Sequence, residues 1–469
     1  MARQLVWFRN DLRLSDNPAL FHSSQNNVPT IAIYIATPEQ WRKHDDAPAK
    51  IDFWRRNLDY LHQELSKLNI PLHFFEVASY DDIPDLITSI CEKWNISAVH
   101  FNLEYPVNEQ LRDQAVRDTC TKTNIACHTY HEQLLLAPGS VRTKAGEPFK
   151  VFTPFSRQIR LQLSEPPSLL PIPAGQSIIE VPAHPAQQSL EQLSWPAVSA
   201  DIQTMWPAGE QVAIDNLHRF CQSNLIHDYK KNRDIPFTRG TSFLSPYLNS
   251  GVISVKQCWL AATQYCEVSD GSITWQNELL WREFYKHVLI DFPYICKYKP
   301  WKPHTEAIPW RNDQSDLEAW QQGKTGYPLV DAAMKQLLAC GWMHNRLRMV
   351  SAMFLTKHLL IDWRLGEKWF MKHLIDGDLA ANNGGWQWSA STGTDAVPYF
   401  RIFNPVTQSQ RFDPDGSFIR FFLPELNSLD NKQVHLPGKD KPDTYPSPVV
   451  ELSYGRKRAL TSFKDINNK

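Results

Sequence analysis

LHFFEVASYDDIPDLITSICEKWNISAVHFN, residues 72 to 102, holds two short apolar runs separated by one amphipathic stretch. Leu72 to Val77 and Ala98 to Asn102 are of strand length and rich in aromatic, aliphatic and β-branched side chains. Between them Ile83, Leu86, Ile87, Ile90 and Trp94 recur with helical spacing, which lines one helix face with apolar groups. Strand, helix and strand in this order predict a crossover unit with parallel strands.

The same alternation extends on both sides. Leu5 to Phe8, Ile31 to Ile35 and Ile125 to Tyr130 read as further strands, and Ile51, Trp54, Leu58, Leu61, Leu65 and Leu68 mark another helix. Residues 1–132 are therefore expected to form an α/β domain with a doubly wound parallel sheet. Such sheets hold ligands beyond the carboxyl ends of their strands, but this one has neither a GxGxxG turn nor a Walker-type phosphate loop. Fold alone does not name its ligand.

Periodicity breaks down over 133–207, where eight of the 33 prolines lie between Pro166 and Pro207. Proline at that density forbids sustained helix and suits an extended connector lying over a domain surface. Helical spacing returns and dominates in 208–469, with helices expected at 210–223, 254–265, 272–290, 329–339, 343–360 and 366–374. The second domain is thus larger and all-α. The last 50 residues, rich in Pro, Asp and Lys, read as chain wrapping the surface.

A chain of 469 residues exceeds the size at which one core stops growing, so two domains are the natural division. Charges at Arg3, Arg9, Asp11 and Arg13 interrupt the first apolar run, so no leader peptide is expected. No apolar stretch approaches membrane-spanning length. A soluble cytoplasmic protein follows. The eight cysteines form neither a CxxC pair nor a zinc-type pattern with histidine, which predicts reduced thiols and no metal.

The net charge of −1 conceals an uneven distribution. Residues 1–132 carry 13 basic and 18 acidic side chains, while 279–302 hold five and two, and 342–373 six and two. Local basic surpluses of this kind can engage phosphates, although solvated helix faces carry them too. Tryptophan is the compositional outlier: 11 of the 17 lie between Trp259 and Trp388.

Four constellations carry candidate chemistry. DGDLAANNGGWQW, 376–388, sets Asp376 and Asp378 around a glycine, too close for a separated acid/base pair. It adds the amides of Asn382 and Asn383, and Gly384 and Gly385, which would admit a flat ligand close to the backbone. On the 272–290 helix Trp275, Glu278, Arg282 and Tyr285 share one face with Trp281 alongside, predicting an aromatic-walled pocket for a carboxylate. An exposed Glu278/Arg282 pair is the alternative. GWMHNRLRM, 341–349, places Asn345 and Met349 one turn apart, with Arg346 suited to phosphate and Arg348 to a carboxylate of the DGD turn. GTSFLSPY, 240–247, offers Thr241, Ser242 and Ser245 at a helix entry, fit for a diphosphate or for plain capping by Ser242.

In their order and wording these motifs resemble the photolyase/cryptochrome family, specifically class I cyclobutane pyrimidine dimer photolyases of the bacterial folate-antenna type. LVWFRNDLRLSDNPAL (5–20), KVFTPF (150–155), NELLWREFY (277–285) and GKTGYPLVDAAM (323–334) extend the likeness over nearly the whole chain. The resemblance implies a folate-type or deazaflavin antenna near the α/β domain and FAD in the helical domain, with reduced FAD as the active form. Tyr229, Thr241, Ser242, Phe243, Leu244, Ser245, Trp275, Arg282, Arg348, Asp376, Gly377, Asp378 and Asn382 match its FAD contacts. By the same likeness Asn382 faces the flavin N5 and Arg348 pairs with Asp376. The lesion pocket maps to Glu278, Trp281, Arg282, Tyr285, Asn345, Met349 and Trp388, with Arg233, Arg346 and Arg401 on DNA. An electron relay maps to Trp386, Trp363 and Trp310. His44, Asn108, Glu109, Cys296 and Lys297 match folate positions, implying a 5,10-methenyltetrahydrofolate antenna.

The activity so implied is light-driven splitting of pyrimidine dimers in damaged DNA by a monomeric enzyme. A blue-light signalling cryptochrome is the alternative, but such proteins typically carry Asp or Cys where this chain has Asn382. Six-four photolyases favour histidine in place of Asn345 and Met349, and DASH cryptochromes usually alter the residue matching Trp388.

Overall fold

The computed structural model describes residues 2–25, 28–264 and 266–467. Position 265, the last of the helix expected at 254–265, lies outside the described residues. Contacts gather the chain into two units, one of Met1–Phe149, Thr153–Ile226 and Ser242–Pro293, the other of Lys150–Phe152, His227–Thr241 and Tyr294–Lys469. Their borders fall elsewhere than 132 and 207.

The first unit is built on a six-stranded sheet in the order β5-β4-β1-β2-β3-β6. Its strands are β1 (Arg3–Phe8), β2 (Thr30–Ala36), β3 (Leu72–Glu76), β4 (Ile96–Asn102), β5 (Ala126–Tyr130) and β6 (Gln187–Gln188). The first five pair in parallel. The quoted 72–102 stretch is β3, helix α2 (Ile83–Trp94) and β4, but β3 and β4 are not neighbours: β2 and β1 stand between them. The parallel expectation needs one correction. β6 comes from the proline-rich connector and pairs antiparallel with β3 through Phe74–Gln188 and Phe75–Gln187, covering an edge that would otherwise expose unpaired backbone.

Helices α1 (Pro48–Lys67), α2 and α3 (Val107–Lys122) accompany the sheet, and Leu5, Ile31, Ile33, Phe75, Ile87, Ile90, Trp94, Val99 and Val116 fill a core beside it. The connector also forms helix at Phe152–Gln162 and Ala200–Met205. The first ends before Pro166, and Pro154 falls in its opening turn, where a missing N–H costs nothing. Elsewhere the connector runs extended, with Glu180 O accepting from Arg3 at 2.9 Å and Pro182 O from the Trp94 indole at 2.8 Å.

In sheet order β3-β2-β1-β4-β5 the direction of winding reverses between β1 and β4, the place where such sheets usually hold a dinucleotide. Here the chain's own side chains occupy it. Asn102 Nδ2 donates to Asp11 (2.6 Å) and Asn17 (2.9 Å), and the Ala19 N–H donates to Asn102 Oδ1 (3.1 Å). Burial lifts the Asp11 carboxyl to about 6. Arg13, fully buried, spans Glu132 (2.7 Å) and the Gly251 carbonyl (2.9 Å). Gly251 has φ +62°, and a Cβ there would meet Asn10 O at 2.1 Å, so the approach requires glycine. Helices α4 (Glu210–Cys221), α5 (Val255–Gln264) and α6 (Asp270–Asp291) complete the unit. Glu210 accepts from the Leu14 and Ser15 N–H groups, and buried Glu283 from those of Leu135 and Leu136.

The second unit packs α7 (Pro328–Cys340), α8 (Asn345–Met353), α9 (Trp363–His373), α10 (Leu379–Ala390), α11 (Pro405–Phe412), α12 (Ser417–Phe422) and α13 (Leu452–Asn467). Their core includes Trp320, Tyr327, Met343, Phe354, Trp363, Phe370, Trp386 and Phe418. Two expectations change. The helix predicted over 343–360 is α8 followed by a π turn, Phe354–His358, whose wider winding buries Lys357 against the Ala390 carbonyl (3.1 Å) and the Ser391 hydroxyl (2.8 Å). The last 50 residues end in α13, a helix tethered where Arg458 donates to His358 O at 2.7 Å. Among the described residues no helix is long and apolar enough to cross a membrane.

Candidate functional site

In the first unit α6 presents the expected mixed face. Ser269 caps it by accepting from Ser272 N, and Trp275 is buried against Phe220 at 5.2 Å between ring centroids. Glu278, Trp281, Arg282 and Tyr285 are half-buried. Trp281 and Tyr285, one turn apart, stack at 5.6 Å and 29°, an offset geometry that leaves an aromatic wall. Arg282 is committed to protein: its Nη1 donates to the Gln133 carbonyl at 2.6 Å.

Upstream, Ser242, Phe243 and Ser245 are half-buried and Leu244 is buried. Capping by Ser242 is corrected here. Ser245 opens a helix of only five residues, Ser245–Asn249, and its cap position is Leu244, so Ser242 lies outside it. Phe243 takes φ +53°, a left-handed conformation costly for a bulky side chain and held by its surroundings, among them Trp206 at 6.4 Å.

Also in this unit, His44 lies 2.9 Å from the Asn108 amide and 3.4 Å from the Glu109 carboxylate. Tyr80 donates to the same Glu109 oxygen at 3.2 Å, while the other, Oε2, is buried with no partner in the protein. Burial pushes the Glu109 carboxyl above its ordinary range, and His44 pulls it back. An unsatisfied buried acceptor of this kind suits an N–H-bearing heterocycle such as a pterin. Cys296 and Lys297, which belong to the second unit, lie in the 3₁₀ turn Pro293–Lys297, half-buried and exposed respectively.

In the second unit the GWMHNRLRM and DGD segments meet. Arg348 Nη2 contacts both Asp376 oxygens at 3.0 and 2.8 Å, and its Nε donates to Met343 O at 2.8 Å. Asp376 is buried; Asp378 instead caps α10, accepting from Ala381 N at 2.9 Å. The two aspartates therefore do different work: one anchors an arginine and the other starts a helix. Gly377 between them faces Leu374 O at 3.1 Å from an ideal Cβ.

The double glycine is helical. Gly384 and Gly385 lie inside α10, and a Cβ on Gly385 would meet nothing within 4 Å, so no neighbouring protein group demands glycine there. Asn382 Nδ2 donates to Glu367 O at 3.0 Å, which commits its nitrogen and leaves the amide oxygen as acceptor. Asn383 donates to Glu367 Oε1 at 3.0 Å and accepts from Gln387 at 2.8 Å. Glu367, buried on α9, thus fixes both amides; sequence reading missed it because its partners lie a helix away, with no motif linking them.

Asn345 is exposed and Met349 half-buried on α8, whose cap is His344, with Nδ1 accepting from Arg346 N at 3.2 Å. Burial lowers the His344 pKa to about 4, so the ring is neutral at physiological pH. Arg346 binds Asp234 at 3.0 Å and lies over Phe412 at 4.5 Å; Arg233 lies over the ring of buried Tyr229 at 5.7 Å. Thr241 Oγ1 is buried without a partner. Trp388 is half-buried and Arg401 exposed.

Of the three relay candidates, Trp386 and Trp363 are buried in one core and Trp310 is half-buried against it. The Trp386 indole N–H has no partner, and its ring rests on Gly366, where a Cβ would come within 2.1 Å of it.

Two orphaned buried groups, Thr241 Oγ1 and the Trp386 indole N–H, together with the oriented Asn382 amide and the anchored Arg348, are polar groups of the second unit whose chemistry fits the donors and acceptors of a flavin nucleotide. Of the residues the resemblance singles out, Ser242, Phe243, Leu244, Ser245, Trp275, Glu278, Trp281, Arg282 and Tyr285 belong to the first unit, and Tyr229, Arg233, Thr241, Trp310, Asn345, Arg346, Arg348, Met349, Trp363, Asp376, Gly377, Asp378, Asn382, Trp386, Trp388 and Arg401 to the second.

Comparison with known proteins places the chain in a family. Residues 4–174 match the family model "DNA photolyase", and residues 275–465 match "FAD binding domain of DNA photolyase". The chain is 43% identical over 476 residues to a deoxyribodipyrimidine photo-lyase of Salmonella typhimurium, covering 99% of each chain. It is 44% identical over 455 residues to that of Vibrio cholerae, covering 95% of this chain and 94% of the other. A bacterial class III photolyase from Agrobacterium tumefaciens superposes with a TM-score of 0.88 at 34% identity, covering 100% of this chain and 98% of its own. The chain belongs to the DNA photolyase family and carries that family's FAD-binding domain.

Proposed function

We propose that the protein repairs cyclobutane pyrimidine dimers in DNA under blue light, as a cytoplasmic monomer that joins the nucleoid when bound to DNA. The observation that carries the proposal is the α8 face, where Asn345 and Met349 stand one turn apart beside the anchored Arg348. An amide there can read the carbonyl and N–H edges of pyrimidines, and a thioether adapts to a flat apolar ring. Full-length identity to named photo-lyases supports the same reading.

The lesion reaches such a site only out of the stack, which costs least for a dimer that already pairs and stacks poorly. Trp281, stacked on Tyr285, and Trp388 would bracket the extruded bases. Glu278 would hydrogen-bond a dimer carbonyl and stabilise negative charge there. Arg233, Arg346 and Arg401 would take phosphates. Tyr229, Thr241, Ser242, Ser245, Arg348 and Asn382 would hold FAD, with the Asn382 oxygen aimed at the flavin N5. The chemistry that group supplies when bound is donation of one electron on excitation and its recovery afterwards, with no net redox change. Trp386, Trp363 and Trp310 would carry electrons between the flavin and solvent. We further assign a 5,10-methenyltetrahydrofolate antenna to His44, Asn108, Glu109, Cys296 and Lys297, supported by the unsatisfied Glu109 oxygen.

The test is illumination of the purified reduced protein with duplex DNA containing a thymine dimer. Restored thymines, with yield sharply reduced in Glu278→Ala, are expected; absence of repair overturns the proposal. The absorption spectrum of the same sample separates bound methenyl folate from a deazaflavin.

A further inference from the structure

Phe237 and Phe421 are 51% and 67% exposed, yet their rings pack at 5.9 Å and 56° although 184 positions separate them in the chain. Exposed apolar rings brought together by folding, rather than by adjacency, mark a surface with an occupant.

Both rings sit on braced backbone. Asp413 accepts from the N–H groups of Phe418 (2.9 Å) and Ile419 (3.0 Å) at the start of α12, and Arg420 donates to Leu429 O at 2.7 Å, so the helix bearing Phe421 is tied at both ends. Opposite it, Thr238 N donates to Ile235 O and Gly240 N to Thr238 O, while Gly240 lies so close to Asn232 that an added Cβ would come within 2.7 Å. A pair held in this way loses little freedom when something binds.

The Phe237 side of the pair is cationic, whereas 411–425, around Phe421, sets Arg411 and Arg420 against Asp413, Asp415 and Glu425. The 227–241 segment bears Lys230, Lys231, Arg233 and Arg239 against Asp228 and Asp234, and Asp234 is already engaged by Arg346. Lys230, Lys231 and Arg239 are exposed. Arg346 and exposed Arg411 lie over Phe412, at 4.5 and 5.0 Å, on the helix preceding α12. Aromatic faces among cations take nucleobases and phosphates together, and sequence hardly matters because every base has a π-face.

We propose that Phe237 and Phe421 form a stacking platform for an unpaired nucleobase of DNA, with Lys230, Lys231 and Arg239 engaging the adjoining phosphates. This rests on the DNA-repair reading above and adds a second, lesion-independent foothold to it.

The test uses flavin-loaded protein, a dimer-free single-stranded thymidine oligonucleotide and a dimer-containing duplex, with binding followed by fluorescence anisotropy. Phe237→Leu with Phe421→Leu preserves apolar contact and removes the rings. It is expected to lower single-strand affinity by about tenfold, the cost of one lost stacked base. Thermal stability and dimer repair at saturating duplex should match the parent protein. Lys230→Ala with Lys231→Ala should reduce the slope of log affinity against log salt by roughly 1 to 2. Unchanged single-strand affinity in the leucine variant, in a protein that still repairs dimers, overturns the platform alone. A parent protein that neither binds nor repairs dimer DNA overturns the repair reading. A variant that only abolishes self-association gives the face to a second copy of the chain and also sinks the proposal.

Discussion

Arg348 grips Asp376 with one guanidinium nitrogen, 2.8 Å from one carboxylate oxygen and 3.0 Å from the other, while its Nε holds the Met343 carbonyl. The pair joins α8 to the turn that opens α10, so two sequence motifs 28 positions apart become one surface. Asp376→Asn should leave the arginine poorly anchored, cost about 2 kcal/mol of stability and lower bound flavin. Visible flavin absorbance per polypeptide, with thermal unfolding alongside, checks it.

Gly366→Ala forces a methyl group into the Trp386 ring, which approaches the ideal Cβ position to 2.1 and 2.4 Å, and into Leu355 at 2.7 Å. Overpacking of this kind costs about 1 to 3 kcal/mol. Lower thermal stability and an altered Trp386 environment, read by flavin photoreduction kinetics, are the expected results.

Trp363→Phe keeps an aromatic, apolar ring in the second unit's core but removes the indole, at the cost of a small cavity. If the three tryptophans are the relay, light-driven reduction of the oxidised flavin should slow by at least tenfold. Repair by protein reduced chemically beforehand should be unaffected. Transient absorption and dimer repair separate the two steps.

Asp331, buried on α7, accepts from Thr325 N and Oγ1 (2.7 and 2.6 Å), Gly326 N (3.0 Å) and the Tyr445 hydroxyl (2.6 Å). Asn keeps one acceptor oxygen and turns its NH2 group towards the Thr325 or the Gly326 backbone N–H, which can only donate. Asp331→Asn should destabilise the protein by about 2 to 4 kcal/mol in chemical denaturation.

His344 carries a pH signature. Burial lowers its folded pKa from the ordinary 6.5 to about 4, so the unfolded chain binds the proton first, and stability falls as pH drops from 6.5 towards 4. Near pH 4.5 the loss should reach roughly 2 kcal/mol. Asp331 works in the opposite sense: burial lifts its carboxyl to about 6, so stability rises as pH falls through that range. Comparing His344→Asn, which can still cap α8, with the parent at pH 7 and pH 4.5 isolates the histidine.

Strands β1 to β5 and most helices were legible in the chain because their signals are local: alternation or helical spacing within some twenty residues reports which face meets a core. Asn382, Arg348 and the α6 stripe stood out for a similar reason, as unusual side chains close together in sequence. Long-range contact decided everything else. Nothing near Gly384 and Gly385 announced a helix, since α10 is held by its Asp378 cap and by Glu367 on α9 rather than by an amphipathic pattern. The antiparallel strand β6, Arg13 reaching Gly251, and Phe237 meeting Phe421 join segments that share no periodicity. Which of two equivalent carboxylates anchors an arginine and which caps a helix depends on where the backbone delivers a guanidinium or a free N–H. Only packing sets those positions.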